Sequence, residues 1–597
     1  MAFEFQQRGI RLAGLRPLLD GSVPAHGEPS IGTGEILWPL DEGGSICLRL
    51  GLDSGQLGLD VALHGSDRAP LSLGIRFEQI SGVRQYLRNG YQSWDGSFFV
   101  EPGTPPGDGP PGKAPTLGFA MTALLPSDDS GAVVVGFTRH DRFQNRFRFG
   151  GTPDAMTMDA ETLLDGASTG AVITAETIRI FDRDDVENAL RDWSRQVASA
   201  SPYAPRIPER RITGWCSWYN LYAAIDEAVI RQHLEAAITF RDGHEVPLEV
   251  FQIDDGFTPE MGDWLDVKPQ FPQGMKPLLA DIAASGFRPG LWIAPFMVGN
   301  RSRLYAEHPD WVVKDARSGG PLVQMHFYGE FRWHKRSEEY YILDVTHPDA
   351  AAYIANVFRI WAQDWGCRYF KTDFMLFGAE HGPDIAVWHQ SGLSRIAIWR
   401  RMAEIIREAI GDALWLGCGC PLWASVGLVD AVRIGRDIGV SWNGEYSAES
   451  LLRDQLTRNH AAGILWQADP DCILLRERFH NLSDDQVVSL ARFAGLAGGV
   501  LMTSDKLDEL GEERAALFAD LLRRPAKGCS FPRLGRDDAV ITQIVDREGE
   551  RQAHLFNLSP VAATGPIHPI ALQPFQSQLL KEFDRGGGAH RPQILSA

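Results

Sequence analysis

Cysteine is scarce in this sequence, with seven cysteines among 597 residues. They form no CxxC pair, since Cys418 and Cys420 are separated by a single residue. A small secreted fold held by disulfides needs a dense and even set of cysteines, so the composition argues against that class and favours a reducing compartment. We therefore expect a cytoplasmic protein.

Basic residues are outnumbered by acidic ones, and long apolar runs are absent from the sequence. The chain has 58 Lys and Arg against 77 Asp and Glu, a formal net charge of -19. This charge repels nucleic acid and anionic lipid, so neither is expected as a partner. No uninterrupted apolar run reaches the roughly 18 to 20 residues that cross a bilayer. The first residues, MAFEFQQRGIRLAG, lack the basic segment and apolar core of a signal peptide.

Motifs for metals and nucleotides are missing as well. The sequence contains no HExxH, no Walker motif and no EF-hand loop. GDGPPG at 107–112 fits GxGxxG only by letter, because its prolines preclude a strand-turn-helix cradle. GASTG at 166–170 fits GxSxG, but no helical segment follows it. We predict neither a required metal nor a cofactor.

The spacing of apolar residues divides the chain into three predicted domains, 1–205, 206–515 and 516–597. The first contains short runs such as ILWPL and GAVVVGFTR between Gly, Asp and Pro, which is typical of an antiparallel β-sandwich. The last contains AVITQIVD and RQAHLFNLS, which predict a small antiparallel β domain. The tail at 584–597 is expected to be loose.

The central domain alternates short apolar strands with longer helix-period segments. The strand candidates are ITGWCSW, LEVFQID, RPGLWIAPF, YYILDV, RYFKTDF, ALWLGCG, AVRIGRD and ILWQAD. Eight strands with helices between them predict a (β/α)8 barrel, with a doubly wound sheet as the alternative. The barrel is favoured because several strands end in polar residues, and barrel active sites are assembled at those ends.

These strand ends carry many acids and tryptophans. In chain order they are Asp254 and Asp255, Trp292, Asp344, Lys371 and Asp373, Cys418, Arg433 and Asp437, and Asp469 and Asp471. Side chains two apart on a strand share a face, so the paired residues at 371 and 373, and at 433 and 437, are expected to point together, with Arg436 turned away. Gly256 permits the bend that would present both members of the acid pair. Carboxylates with indole rings suit sugar binding and glycosidic cleavage.

Each of these residues also has a structural interpretation. A strand-end Asp is often the N-cap of the next helix. For Asp344 we expect either this role or a supporting position behind the sugar-binding residues. Trp292 could be an ordinary residue of the hydrophobic core, and Cys418 could fill a small buried space without reacting. Lys371 and Asp373 could form a purely structural ion pair, but a buried ion pair is a weak source of stability.

Six segments carry a resemblance to a known family: GWCSWYNLY, FQIDDGF, GLWIAPFM, FKTDFM, GCGCPL and VRIGRD. In this order and spacing they resemble family 36 of the glycoside hydrolases, the α-galactosidases or melibiases. The resemblance extends upstream to NGYQSW at 89–94, which is similar to the family loop that brings a tryptophan of the N-terminal sandwich to the sugar pocket.

The resemblance implies a fold and a set of roles. The fold would be an N-terminal β-supersandwich, a (β/α)8 barrel and a small C-terminal antiparallel β domain. Asp373 would be the nucleophile, kept ionised by Lys371, and Asp437 the acid/base, on the fifth and seventh barrel strands. The substrate-binding residues would be Asp254, Asp255, Trp292, Lys371, Cys418, Arg433 and Trp94.

The implied activity is a retaining exo-α-galactosidase acting on oligosaccharides of the melibiose and raffinose type. An α-N-acetylgalactosaminidase and a galactosyltransferase of the raffinose-synthase kind use the same machinery and stay open. A carbohydrate-binding protein without catalysis is a more distant alternative, because both expected catalytic acids are present. The family includes monomers and tetramers, so a homo-oligomer is possible and the sequence does not decide between them.

Overall fold

The computed structural model describes residues 3–66, 69–109, 113–167, 171–326, 337–567 and 569–580. The predicted loose tail at 584–597 lies outside them. Within these ranges no helix has the length and apolar character needed to cross a bilayer. In the same part of the chain, no three His, Cys, Asp or Glu side chains are grouped so that they could hold a metal ion.

The N-terminal part forms two antiparallel sheets with a shared apolar core that includes Trp38, Phe77 and Phe147. The six-stranded sheet has the order Glu4–Gln7, Ile10–Leu19, Ser72–Ser81, Ala155–Leu163, Gln144–Thr152 and Leu117–Phe119. The ten-stranded sheet has the order Ser30–Gly32, Glu35–Pro39, Ser45–Asp53, Gln56–His64, Ile178–Arg183, Ala132–Phe137, Met121–Pro126, Val83–Arg88 and Phe98–Val100, and Val172–Thr174 pairs with Gln56–His64. The predicted sandwich is confirmed.

One helix, Val186–Ala200, joins this sandwich to the rest of the molecule. Asp185 caps its first turn by accepting from the N–H of Asn188. On its buried face, Trp193 donates its indole N–H to the carbonyl of Phe137 in the sandwich at 2.8 Å. The same ring meets Trp423 edge-on at 4.8 Å. The two cores are therefore in direct contact.

Eight parallel strands follow and form a barrel. They are β1 (Thr213–Cys216), β2 (Val250–Ile253), β3 (Arg288–Ile293), β4 (Tyr369–Thr372), β5 (Leu414–Gly417), β6 (Ala431–Arg433), β7 (Gln467–Asp469) and β8 (Leu501–Thr503). Each pairs with the next from β1 to β7, and β8 pairs with β1. The sheet closes where the N–H of Val500 donates to the carbonyl of Ala468 at 2.9 Å and Cys472–Ile473 pairs with β8.

One predicted barrel strand was wrong. YYILDV does not enter the barrel, because Glu339–Ile342 pairs antiparallel with Met297–Gly299 and Val323–His326 in a small separate sheet. The eighth barrel strand is instead β8, which we did not predict from the sequence. Asp373 and Asp437 consequently follow the fourth and sixth strands, not the fifth and seventh.

The helices around the barrel are Trp218–Leu221, Glu227–His244, Met275–Ala284, Arg303–Glu307, Pro348–Arg359, Arg395–Ile410, Ala448–Arg458, Asp484–Leu496 and Glu512–Arg523. Several begin at the side-chain caps that the sequence offers: Asp226, Ser302, Ser394, Ser447 and Ser483 each accept a backbone N–H of the first turn. A two-stranded sheet, Lys314–Asp315 with Ala386–Val387, links the long connections after β3 and β4.

The C-terminal part is a four-stranded antiparallel sheet in the order Gly528–Ser530, Val540–Arg547, Glu550–Asn557 and Ser577–Leu580. A further short pair is Ala563–Thr564 with Ala571–Leu572. The predicted boundary at 515/516 falls inside the helix Glu512–Arg523. We propose the three predicted domains as the division of the chain, with the second boundary placed after residue 523.

Candidate active site

The acid pair after β2 lies at the centre of the site. Asp254 and Asp255 are both almost completely buried. Gly256, at φ +126°, turns the chain directly behind them, and a Cβ there would lie 2.8 Å from the Cα of Ala223. The expected bend is therefore present, and it depends on glycine. Asp254 Oδ2 also accepts from the Gln252 side chain of the same strand at 2.7 Å.

Lys371 reaches across the barrel to this pair. Its ammonium donates to Asp254 Oδ2 at 2.8 Å, and both side chains are buried. The ion pair of Lys371 is therefore with the acid of β2, while its charge also acts on Asp373. Burial disfavours the ammonium, but the charges of Asp254 and its neighbours outweigh burial and hold the pKa of Lys371 well above its ordinary value.

Asp373 follows β4 and is held at both oxygens. The indole N–H of Trp292 donates to its Oδ2 at 3.1 Å, and the N–H of Phe374 donates to its Oδ1 at 2.8 Å. Burial raises the pKa of this carboxyl, while the charge of Lys371 and hydrogen bonds from Cys418 and Trp292 lower it by less. Lys371 acts in the expected direction, but removing the carboxylate from water has the larger effect.

Arg433 and Asp437, at the end of β6 and in the loop that follows, point together as predicted. Arg433 Nη1 donates to Asp437 Oδ1 at 3.0 Å. Arg436 turns away and donates to Asp454 at 3.0 Å. The guanidinium is 2% exposed, whereas the Asp437 side chain is 35% exposed. The charge of Asp437 also contributes to the raised pKa of Asp373, so the two acids share one electrostatic environment.

Cys418, after β5, is buried beside Asp373, and burial raises the pKa of its thiol well above the ordinary value. The neutral thiol is therefore the hydrogen-bond donor to the carboxylate. Asp344 lies outside this group, because it follows the small separate sheet. Its Oδ1 accepts from the N–H and hydroxyl of Thr346, and its Oδ2 accepts from the N–H of His389. It organises a turn.

Trp94 comes from the sandwich loop 89–97, as predicted. The loop docks on the turn after β5. The N–H of Ser93 donates to the carbonyl of Cys420 at 3.2 Å, and the N–H of Cys420 donates to the hydroxyl of Ser93 at 3.0 Å. The half-buried Trp94 ring meets Phe374 edge-on at 5.4 Å. A Cβ on Gly419 would lie 2.6 Å from this indole. The tryptophan thus packs beside the residue that follows Asp373.

Arg458, at the end of the helix Ala448–Arg458, holds the loop 89–97 in place through hydrogen bonds. Its guanidinium is buried and donates to the carbonyls of Ser93 and Asp95 and to the hydroxyl of Ser97. It also donates to the carbonyl of Ile434, which follows β6. One barrel side chain therefore ties the sandwich loop to the strand that leads to Asp437.

The sequence reasoning gave no role to three residues that contact the site. Tyr219 donates its hydroxyl to Asp471 Oδ2, and Asp471 Oδ1 accepts from Arg433 at 2.7 Å. Cys216 donates its thiol to Asp254 Oδ2 at 3.4 Å. Tyr219 and Cys216 lie within the segment GWCSWYNLY, and Asp471 stands at a strand end. These positions were the sequence features that could have indicated a contact with the site.

This arrangement of acids, lysine and indoles around the carboxyl ends of β2 to β6 accompanies a match to a known family. Residues 217–377 match the family model described as Melibiase. This segment, about a quarter of the chain, is therefore similar to the melibiase family. This is a family of glycoside hydrolases, and the matched segment includes the acid pair, Trp292, Lys371 and Asp373.

The chain aligns with about a third or less of the length of the curated α-galactosidases that it matches. The probable α-galactosidase C of Aspergillus flavus is 25% identical over 267 residues, which cover 42% of this chain and 32% of that protein. The structure of TtGalA, an α-galactosidase from Thermus thermophilus in complex with p-nitrophenyl α-D-galactopyranoside, superposes with a TM-score of 0.63 and 25% identity over 88% of this chain and 98% of its own. The GH36 α-galactosidase AgaA from Geobacillus stearothermophilus, at 13% identity and a TM-score of 0.59 over 92% and 79% of the two chains, supports the fold alone.

Proposed function

We propose that this protein is a retaining exo-α-galactosidase that releases terminal α-linked galactose from oligosaccharides of the melibiose and raffinose type. The observation that carries the proposal is the placement of two carboxylates, Asp373 and Asp437, after β4 and β6 in one electrostatic environment. A retaining glycosidase needs such a pair about 5 to 5.5 Å apart across the anomeric carbon.

Asp373 is the proposed nucleophile. Its two oxygens accept from Trp292 and from the backbone of Phe374, which fixes the plane of the carboxylate. A fixed nucleophile attacks the anomeric carbon without a reorganisation cost, and the result is a covalent galactosyl-enzyme. In the proposed mechanism the charge of Lys371 and the hydrogen bonds stabilise the carboxylate and oppose part of the effect of burial on its pKa.

Asp437 is the proposed acid/base. It would protonate the glycosidic oxygen in the first step and deprotonate the attacking water in the second. Its side chain is 35% exposed, whereas Asp373 is buried, so it is the acid with access to solvent water. This difference in exposure supports the assignment of the two roles.

The remaining groups suit a galactose ring. Asp254, Asp255 and Lys371 provide acceptors and a donor for hydroxyl groups, and the indoles of Trp292 and Trp94 provide apolar surface for the ring carbons. The ligand named for TtGalA, a p-nitrophenyl α-galactoside, supports the same sugar for this chain. Cys418 is proposed to face the sugar 2-position, where an N-acetyl group would need more space.

A substrate panel tests the proposal. Purified protein is assayed with p-nitrophenyl α-galactoside, α-N-acetylgalactosaminide and α-glucoside, and the Asp373→Ala variant is assayed in parallel. We expect hydrolysis of the galactoside and its loss in the variant. Preference for the acetylated sugar would support the N-acetylgalactosaminidase alternative, and galactosyl transfer to sucrose or another sugar in place of water would support the transferase. Unchanged turnover in the variant would refute the mechanism.

The stereochemistry needs its own measurement. Proton NMR of the first-formed sugar should show α-galactose before mutarotation, because two inversions give retention. First-formed β-galactose would refute double displacement. Asp437→Ala should be rescued by azide with an activated aryl galactoside and give α-galactosyl azide, since azide needs no general base.

We also propose a reducing, cytoplasmic location. All seven cysteines are unpaired and buried, which supports a compartment where thiols stay reduced. The expected partners are α-galactoside oligosaccharides, with neither nucleic acid nor membrane involved. Size-exclusion chromatography with light scattering would test the oligomeric state.

A further inference from the structure

Arg433 contacts three carboxylates at once. Its Nε donates to Asp469 at 3.1 Å, its Nη1 to Asp437 at 3.0 Å and its Nη2 to Asp471 at 2.7 Å. The guanidinium, Asp469 and Asp471 are almost completely buried. One cation cannot neutralise three carboxylates, so the buried acids need further donors to stay in place.

Asp471 receives most of these further donors. Its Oδ2 accepts from the hydroxyl of Tyr219 and from the N–H of Ile438 at 2.8 Å, and its Oδ1 accepts from the N–H of Cys472 at 2.7 Å. Its backbone has φ +89°, which is strained for a residue other than glycine. Such strain persists only where the surrounding contacts impose it, and it is concentrated at functional sites.

The contacts of Asp471 reach Asp437 from two sides. One oxygen binds the guanidinium that donates to Asp437 Oδ1, and the other binds the N–H of Ile438, the residue directly after Asp437. We propose that Asp471, supported by Tyr219, is a positioning residue that holds the Asp437 carboxyl in the direction required for proton delivery to the leaving group. This inference rests on the proposed function.

The proposal has a consequence that a purely structural role lacks. A misdirected general acid slows the departure of poor leaving groups much more than that of good ones, because a good leaving group departs as its anion without a proton. A variant that only loosens the fold lowers the rate for all leaving groups by a similar factor. The dependence of kcat/KM on the leaving group therefore separates the two explanations.

The experiment compares 3,4-dinitrophenyl, p-nitrophenyl and phenyl α-galactosides on wild type, Asp471→Asn, Tyr219→Phe and Asp437→Asn. General-acid catalysis contributes about 100- to 10,000-fold. For Asp471→Asn we expect kcat/KM to fall about 10- to 100-fold on the phenyl substrate and by less than about fivefold on the dinitrophenyl substrate. Tyr219→Phe should change in the same direction to a smaller extent, and Asp437→Asn to a larger one.

Asp430→Asn is the matched control. Asp430 is also buried and bound by an arginine and a backbone N–H, through Arg407 at 2.7 Å and Trp415 at 2.9 Å, but it precedes β6 at the opposite end of the barrel. Its leaving-group dependence should equal that of wild type. Equal losses on all three substrates in Asp471→Asn would overturn the inference.

Two further outcomes are kept distinct. If Asp471→Asn does not fold, an unchanged leaving-group dependence in Tyr219→Phe overturns the inference and a steeper one supports it. If wild type hydrolyses none of the galactosides, the proposed function has failed, and the inference fails with it for that separate reason.

Discussion

The hydrogen bond from Trp292 to Asp373 gives a quantitative test of how the proposed nucleophile is kept ionised. The indole N–H donates to Asp373 Oδ2 at 3.1 Å, and Trp292 is 2% exposed. A hydrogen bond to a charged group contributes about 1.5 to 3 kcal/mol. Removing it in Trp292→Phe should therefore change the ratio of ionised to protonated Asp373, at a fixed pH, by a factor of about 10 to 150 toward the protonated form.

The direction of the change in the pKa of Asp373 follows from the role of the Trp292 N–H as a hydrogen-bond donor. The N–H stabilises the carboxylate and not the carboxylic acid, so its loss raises a pKa that burial has already raised. The acidic limb of the pH dependence of kcat/KM for p-nitrophenyl α-galactoside should move to higher pH, with the plateau less affected. This profile reports ionisation in the free enzyme.

Trp264→Phe is the control for the loss of an indole. Trp264 is buried and meets Trp292 edge-on at 6.2 Å, so the variant makes the same chemical change one ring away from Asp373. Its acidic limb should match that of wild type. An acidic limb in Trp292→Phe that stays in place or moves to lower pH would refute the reasoning.

Three further variants have defined expectations. Lys371→Met leaves the Asp254 carboxylate buried without its cation, and urea denaturation should show a loss of about 3 to 5 kcal/mol. Burial raises the pKa of Asp471 to about 7 from 3.8, so between these pH values the folded state binds a proton that the unfolded state has released. This carboxyl therefore stabilises the fold by about 4 kcal/mol more at pH 4 than at pH 8, and Asp471→Asn should lose less stability than wild type over this pH range. Gly419→Ala would place a methyl 2.6 Å from Trp94 at φ +53°, and we expect a raised KM and a stability loss of about 1 to 3 kcal/mol.

Control variants of the same residue types, placed away from the site, show whether the predicted losses depend on the contacts of Lys371 and Gly419. Lys506→Met removes an exposed lysine paired with Glu509 at 3.1 Å, and it should cost less than about 1 kcal/mol. Gly411→Ala has the same left-handed strain, at φ +58°, with nothing within 4 Å of the added methyl, so it should leave KM unchanged. An equal KM in the two glycine variants would contradict the role given to Trp94. A pH slope of stability in Asp471→Asn equal to that of wild type would contradict the assignment to that carboxyl.

The barrel could be predicted from the sequence because its strands are buried on both faces and appear as short apolar runs between helix-period segments. The same rule explains the wrong strand. In YYILDV, Tyr340 and Ile342 are as deeply buried as barrel residues, so the pattern is the same and only the distant partner Met297–Gly299 distinguishes them. Strand β8 has three residues in a glycine-rich stretch, too few to show a period.

The candidate site residues could be picked out from the sequence because they stand at the carboxyl ends of the predicted strands. Which of them contact one another could not be predicted. Lys371 and Asp254 are 117 positions apart, and the contact between them depends on β2 and β4 both pairing with β3, which brings their carboxyl ends together. The raised pKa of Asp373 depends on how completely the surrounding side chains exclude water, which its flanking residues do not reveal. The roles of Asp373 and Asp437 stay predictions.

The clamp of Arg458 on the loop 89–97 sets an order of events during synthesis. Ser93 emerges from the ribosome 365 residues before Arg458. At about 5 to 20 residues per second, the loop waits on the order of 20 to 70 seconds for that guanidinium. A nascent chain that has already completed its sandwich and β1 to β6 could form the contacts of this loop with Cys420 but would still lack those with Arg458. The proposed activity should therefore appear late in translation and be absent from any fragment that ends before this arginine.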